Sequence, residues 1–180
     1  MVYVFLADGF EEIEALATVD IIRRAEIPVS TVGVGGKFVT GSHGIKVESD
    51  ILPDQINRDD LTAVILPGGM PGSINLENSD IVKQTVMYAH NNKKIVAAIC
   101  AAPMVLGHLG ILNDKKATCY SGFEKELTGA DVQNAPVCID GNIITAWGAG
   151  AAMGFALEIV TAIYGNDKRA KEIYNAMRSV

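Results

Sequence analysis

The passage from KKIVAAIC into AAPMVLGHLG constrains the fold most. Ile95–Ile99 is a continuous apolar run of strand length, the pattern of a parallel strand buried on both faces. Residues 101–109 follow as a helix with Pro103 in its first turn, where a missing N–H costs little. Cys100 therefore stands on a strand-to-helix elbow. Such a turn lifts a side chain above the carboxyl edge of a sheet and aims helix N-terminal amides at it. The alanines around it leave room for a substrate. A thiol so placed is expected to ionise more readily than a free one. Position alone leaves two readings open, a nucleophile or a small buried hydrophobe, since free cysteine is among the most buried residue types.

The same alternation runs along the chain. Val2–Ala7 reads as a strand and residues 11–25 as a helix, with Ile13, Leu16, Ala17, Val19, Asp20, Ile21 and Arg24 alternating faces at helical spacing. Residues 28–34 form a second strand. Gly35-Gly36 reads as a hairpin turn into residues 37–40, with a further short strand over 45–48. The strand at 61–66 ends in the loop PGGMPG, and a helix covers about 79–91. Beyond the elbow come a short strand at 117–119, a short helix near 122–127, and a hairpin of 137–139 with 142–146 around Asp140-Gly141. Helices over about 151–164 and Lys168–Arg178 close the chain. Strands alternating with helices predict a mostly parallel sheet covered on both faces. A length of 180 residues suits one α/β domain and is short for two, so residues 1–180 are expected to form a single domain.

Hydrophobic content of 49% with only 20% charged residues excludes a disordered chain. The net charge of -6 argues against nucleic acid or an anionic membrane as a default partner. No apolar run approaches the ~20 residues of a membrane helix. Met1 leads directly into VYVFLA with no signal-peptide pattern, so a cytoplasmic protein is expected. Cys100, Cys119 and Cys138 are odd in number and lack CxxC spacing, and are read as reduced thiols. No cofactor or metal is expected, because there is no phosphate-loop lysine motif and no HExxH pair. The glycines of WGAGAAMG superficially resemble a dinucleotide loop, but only two helices follow, and close helix-to-sheet packing explains them better.

In an open α/β sheet, ligands bind at the carboxyl ends of the parallel strands. Five segments share that rim: residues 8–14, Gly68-Gly69, Cys100-Ala101, Tyr120 and residues 147–150. Gly69 lacks a Cβ and can bring its N–H close to a bound group, while Ala101 offers a helical N–H beside the thiol. Together they resemble an oxyanion hole; a tight turn after a strand is the other reading of Gly68-Gly69. A general base is harder to find. His108 lies eight residues beyond Cys100, roughly 12 Å along a helix, and His90 falls at the opposite edge of the sheet. His43, in GSHG, reaches the site only if its loop folds over or comes from another subunit. Of Glu11, Glu12 and Glu14 at the start of the first helix, Glu14 is the candidate inward carboxyl. The other two read as N-terminal charges favoured by the helix dipole.

LADGFEEIEA, LPGGMPGSINL, AAICAAP and GNIITAWGAGAAMGFAL occur in this order and with compatible spacing over nearly the whole chain. In these motifs the sequence resembles the ThiJ/PfpI superfamily, in the subgroup of the Parkinson-associated deglycase. The resemblance implies a flavodoxin-like three-layer α/β sandwich and commonly a homodimer. It implies a nucleophile at Cys100, a hydrogen-bonding glutamate at Glu14, and an oxyanion pocket from the amides of Gly69 and Ala101. Activities attributed to the subgroup are glutathione-independent glyoxalase, deglycation of early methylglyoxal adducts, and redox-sensitive chaperoning. Two departures stand out. Tyr120 replaces a histidine of several members, and with an ordinary pKa near ~10 it is a poor base at neutral pH. His43 stands where some relatives carry an arginine; Arg24 fills part of that role or is simply a solvated helix-end arginine. The expected function is a cofactor-independent cysteine enzyme acting on reactive α-oxoaldehydes or glycated adducts. The alternative is a redox sensor or chaperone with an oxidisable Cys100, and a peptidase or amidotransferase is disfavoured without a histidine beside the thiol.

Overall fold

The computed structural model describes residues 1–178. Its main sheet has six strands in the order β2-β1-β5-β6-β10-β9, where β1 is Val2–Ala7, β2 Val29–Val34, β5 Ala63–Leu66, β6 Ile95–Ile99, β9 Val137–Asp140 and β10 Ile143–Ala146. All neighbours are parallel except β9, which returns antiparallel on β10 through Gly141 at φ 63°. The five parallel strands taken in chain order give 2-1-3-4-5, the flavodoxin-like arrangement. The strand order reverses between β1 and β5, the position at which such sheets bind ligands, and the loops after the two strands are hydrogen-bonded there, Glu11 N–H to the Gly68 carbonyl and Gly72 N–H to the Gly9 carbonyl.

Strand periodicity divides the core in two. Val2, Val4 and Leu6 point into a layer with Phe10 of the loop before α1 (Glu12–Arg24), Ile22 of α1, and Phe155 and Ile159 of α5 (Ala152–Tyr164). Tyr3, Phe5 and Ala7 point the other way, toward Leu76, Val86 and Leu106 of α2 (Gly72–Glu77), α3 (Asp80–Asn91) and α4 (Pro103–His108). The result is the expected three-layer sandwich, with α6 (Lys168–Arg178) packed against α5. Phe5, Phe10 and Phe155 are fully buried, each contributing about 1.5–3 kcal/mol of transfer free energy. Among the described residues no helix is long and apolar enough to cross a membrane.

Four local expectations are corrected. The turn at Gly35-Gly36 does not pair β3 (Phe38–Thr40) with β2; β3 pairs antiparallel with β4 (Lys46–Glu48) in a separate two-stranded sheet. The reason is that Ile51 already occupies the free edge of β2, accepting from Gly33 N–H and donating to the Thr31 carbonyl, both at 3.1 Å. The strand expected at 117–119 is β7 (Lys116–Ala117), which lies outside the main sheet and pairs with β8 (Asp131–Val132). The helix expected near 122–127 is a single 3-10 turn, Glu124–Glu126. Finally, α4 starts at Pro103 rather than residue 101, and α2 has no counterpart in the sequence reading.

Candidate active site

The first turn of α1 builds one wall of the site. Glu11 is its N-cap, with Oε2 accepting the Glu14 N–H at 2.7 Å, while its own N–H donates to the Gly68 carbonyl at 2.9 Å. The cap rotates Glu14 inward until its side chain is 1% exposed. Glu14 Oε2 accepts the Gly68 N–H at 2.8 Å, and Oε1 is buried without a hydrogen-bond partner. Gly68 is needed for this approach: a Cβ there would lie 2.5 Å from Cys100 Cβ and 2.6 Å from Glu14 Oε2. Gly69, at φ 90°, follows in a conformation that L side chains rarely adopt, with the backbone of residues 9–11 where its Cβ would be.

Cys100 itself has φ 64°, an uncommon value for a residue with a side chain. Its neighbours hold it there. The Cys100 N–H donates to the Ala146 carbonyl and its carbonyl accepts the Tyr120 N–H, both at 2.8 Å. The half-buried thiol faces the Glu14 carboxyl and the N–H groups of Gly69 and Ala101. Cys119 and Cys138 are buried, and burial pushes the Cys119 thiol up to about 11.

Proton affinities at this pair follow from burial. Desolvation raises Glu14 from 4.5 to about 7, against the pull of the Gly68 N–H and the Cys100 thiol. Desolvation, and then the charge of Glu14, push Cys100 up to about 12, outweighing the amides of Gly69 and Ala101. The expectation of a thiol that ionises more readily than a free one is thus corrected: burial and the Glu14 carboxyl make Cys100 ionise less readily. Two anions are not tolerated side by side: below about pH 7 carboxyl and thiol both hold protons, and above it the pair holds one, which resides on the sulfur. A carboxylate with a pKa near 7 against a thiol has the proton affinity that general-base chemistry at neutral pH requires.

Glu12 meets a different fate two residues earlier. Its Oε1 accepts the backbone N–H of His43 at 2.7 Å, and its Oε2 faces His43 Nδ1 at 2.8 Å and accepts from Ser42 Oγ at 3.3 Å. Burial works against the charge, but the bonds from His43, then its own backbone and Ile45, hold Glu12 near 2. The same bond raises His43, whose ring is largely exposed. Glu11, Glu12 and His43 bring ligand-type atoms within 4.8 Å of one another, yet these atoms are already engaged by protein donors and acceptors.

Gly68, Gly69, Ala101, Glu14 and Cys100 are therefore brought together, and Tyr120 adjoins them through its backbone. His43 is tied to Glu12 instead. Arg24 is at the far end of α1, ion-paired with Asp20 at 2.7 Å and exposed, and is not brought to the site. His108 bridges Glu77 and Glu126. The sequence reading takes Glu12 as an N-terminal charge favoured by the helix dipole and does not anticipate a cavity of about 600 Å³ beside the elbow, walled by Tyr120, Trp147, Gly148, Val132 and Gln133 among others. The available signal was that Tyr120 and residues 147–150 share one rim.

The similarities of the chain agree with this geometry. Protein dj-1beta of Drosophila melanogaster is 36% identical over 168 residues, covering 92% of this chain and 90% of that protein. Protein DJ-1 homolog B of Arabidopsis thaliana is 34% identical over 91% of this chain, which spans only 38% of that longer protein. The structure of oxidized Toxoplasma gondii DJ-1 superposes with a TM-score of 0.93 at 31% identity, covering 98% of this chain and 96% of that one. The model of the DJ-1/PfpI family matches residues 1–162, and with the shared fold and the relatives at this identity, the chain belongs to the DJ-1/PfpI family.

Proposed function

We propose that the protein is a cofactor-independent cysteine enzyme of the glyoxalase or deglycase kind, acting on α-oxoaldehydes or their adducts. The observation that carries this reading is a Glu14 carboxyl held near pKa 7 against the Cys100 thiol, beside two backbone N–H groups. The Cys100 sulfur adds to the aldehyde carbon while Glu14 takes the thiol proton, so the pair never carries two negative charges. The Gly69 and Ala101 amides receive the developing oxyanion. Glu14 then moves a proton from the former aldehyde carbon to its neighbour, giving a thioester that water hydrolyses to a 2-hydroxy acid. Among the described residues no histidine is hydrogen-bonded to Cys100, which disfavours a peptidase or amidotransferase.

The test is conversion of methylglyoxal to lactate by purified protein and by Cys100→Ala. Turnover that disappears with the thiol is expected; none in the wild type, or equal rates in both, contradicts the reading. A second reading, a redox-responsive thiol, is favoured by one observation: Cys100 is the one of the three cysteines with part of its surface open to solvent. An oxygen-mass shift confined to the Cys100 peptide after dilute peroxide supports it, and a peroxide-resistant Cys100 opposes it. A cytoplasmic homodimer completes the proposal. Ile13 and Ile45, 59% and 53% exposed, flank the Glu12 hydrogen bonds and supply apolar surface for a two-fold contact. Light scattering is expected to give about twice the chain mass of 19.1 kDa, and a strict monomer contradicts the dimer.

A further inference from the structure

The cavity beside the elbow takes no part in the proton chemistry of Glu14 and Cys100, and its size and lining point to what it holds. At about 600 Å³ it lies within the range of sites for drug-sized ligands, whereas methylglyoxal carries only a methyl group beyond its reacting carbons. Tyr120 and Trp147 stand in its wall 53% and 39% exposed, in a chain that buries Phe5, Phe10 and Phe155 completely. Large rings left open on a concave surface are suited to receive another ring, stacked or edge-on.

The cavity is joined to the reacting groups at two points. The Tyr120 N–H donates to the Cys100 carbonyl at 2.8 Å. Gly148 lies between cavity and carboxyl: a Cβ there would be 3.2 Å from Tyr120 Cδ2 and 3.9 Å from Glu14 Oε1. That carboxyl oxygen is buried and without a hydrogen-bond partner, so the group with free proton-accepting capacity lies just behind the cavity wall. Glu124 is the charged residue of the lining, and its Oε2 already accepts the Gly122 N–H at 2.8 Å. The rest of the lining is uncharged and carries the two open rings, which suits a neutral aromatic occupant.

We infer that this cavity is a substituent pocket that selects α-oxoaldehydes bearing an aromatic ring over methylglyoxal. The inference rests on the α-oxoaldehyde reading above. The ring sits between Tyr120 and Trp147, and the dicarbonyl end reaches past Gly148 to Cys100. Phenylglyoxal is the simplest such substrate, and with water it becomes mandelate. The aldehyde carbon is oxidised to the carboxyl level and the ketone carbon is reduced to a carbinol. Glu14 takes a proton from the first and returns one to the second. Water supplies the added oxygen as the thioester breaks and Cys100 regains its proton, so no external oxidant or reductant enters.

Trp147 is the only tryptophan of the chain, and its fluorescence reports on this cavity. The Cys100→Ala protein is titrated with phenylglycol, propylene glycol and N-acetylarginine amide as unreactive probes. In parallel, kcat/KM of the Cys100 protein is measured for phenylglyoxal and methylglyoxal. A saturable fluorescence change is expected with phenylglycol alone, with kcat/KM at least about tenfold higher for phenylglyoxal. That preference falls about tenfold in Trp147→Ala, and Tyr120→Ala serves as the second variant should the first not fold. Methylglyoxal turnover with no response to phenylglycol and no aromatic preference overturns the pocket and leaves the α-oxoaldehyde reading standing. Phenylglycol binding without turnover of either aldehyde overturns the substrate class through the reading on which it rests. Saturation by the arginine derivative instead overturns the choice of an aromatic occupant.

Discussion

Glu12 and Glu14 lie two residues apart in the first turn of one helix, both almost wholly buried, yet one is held near pKa 2 and the other near 7. Burial alone raises both. Glu14 lies deeper, so burial raises it more, and the two differ further in what answers the charge. Glu12 is met by the backbone and imidazole of His43 and by the backbone of Ile45, whereas Glu14 has one amide, an unpartnered oxygen and a thiol. The lesson is that a buried carboxyl becomes an anchor when its hydrogen bonds are complete and a proton carrier when they are not.

The largest separation between the two is expected in catalysis. Glu14→Gln, which keeps the shape and removes the base, lowers turnover by about 10²–10⁴-fold, while Glu12→Gln leaves most of it. Steady-state assays check this, and equal losses in both variants would erase the distinction.

Stability follows with opposite pH dependence. Glu12 has a folded pKa below the ordinary 4.5, so its contribution is present above 4.5 and is lost as pH falls through about 2. Glu14 has a folded pKa above that value, so its contribution is complete below 4.5 and is lost as pH rises through about 7. Urea unfolding across pH 2 to 8 is expected to show Glu12→Gln less stable by about 1.5–3 kcal/mol at neutral pH. Glu14→Gln flattens the neutral limb of the curve instead. A Glu12→Gln protein as stable as the parent would show that the 41–45 loop is held by other contacts.

A smaller effect sharpens the incomplete side of the comparison. Tyr120→His places a group that titrates near neutrality on the rim, and turnover is expected to rise several-fold, with Tyr120→Phe changing little. Failure of the histidine to raise the rate would mean that Glu14 already supplies all the proton transfer needed. Smallest is the surface analogue of the Glu12 anchor. His108 is raised above its ordinary value by Glu77 first and then Glu126, so its contribution is present below about 6.5 and is lost as pH rises through the folded value. The ring is 38% exposed, and solvent screening keeps the effect of His108→Gln below about 1 kcal/mol at pH 6 and near zero at pH 9. Denaturation midpoints at the two values check it.

Much of this was legible in the sequence wherever a pattern is local. The runs VYVFLA and IVAAI, the elbow at Cys100 and the turn around Asp140-Gly141 are short-range signals, and each lies where its apolar period or turn chemistry places it. Glu14 was separable from Glu11 by its position one turn into the helix. What stayed hidden depends on distant partners. The pairing of β3 was decided by Ile51 on the edge of β2, and the anchoring of Glu12 by a loop some thirty residues away. At six residues, α2 is too short to show a period. The thiol's proton affinity was misjudged because a helix terminus is visible in sequence and a desolvated carboxylate beside it is not.

The central claim is that Glu14 and Cys100 hold two protons below about pH 7 and one above it, where the ionised Glu14 can take the thiol proton. Its most direct test is the rate of Cys100 alkylation by iodoacetamide as a function of pH, read by peptide mass mapping in the parent protein and in Glu14→Gln. The parent is expected to show a rise with an inflection near pH 7, where Glu14 gains its capacity to take the thiol proton. That inflection is expected to vanish in Glu14→Gln, leaving only a climb at higher pH. Superimposable profiles, or preferential labelling of Cys119 or Cys138, would contradict the account.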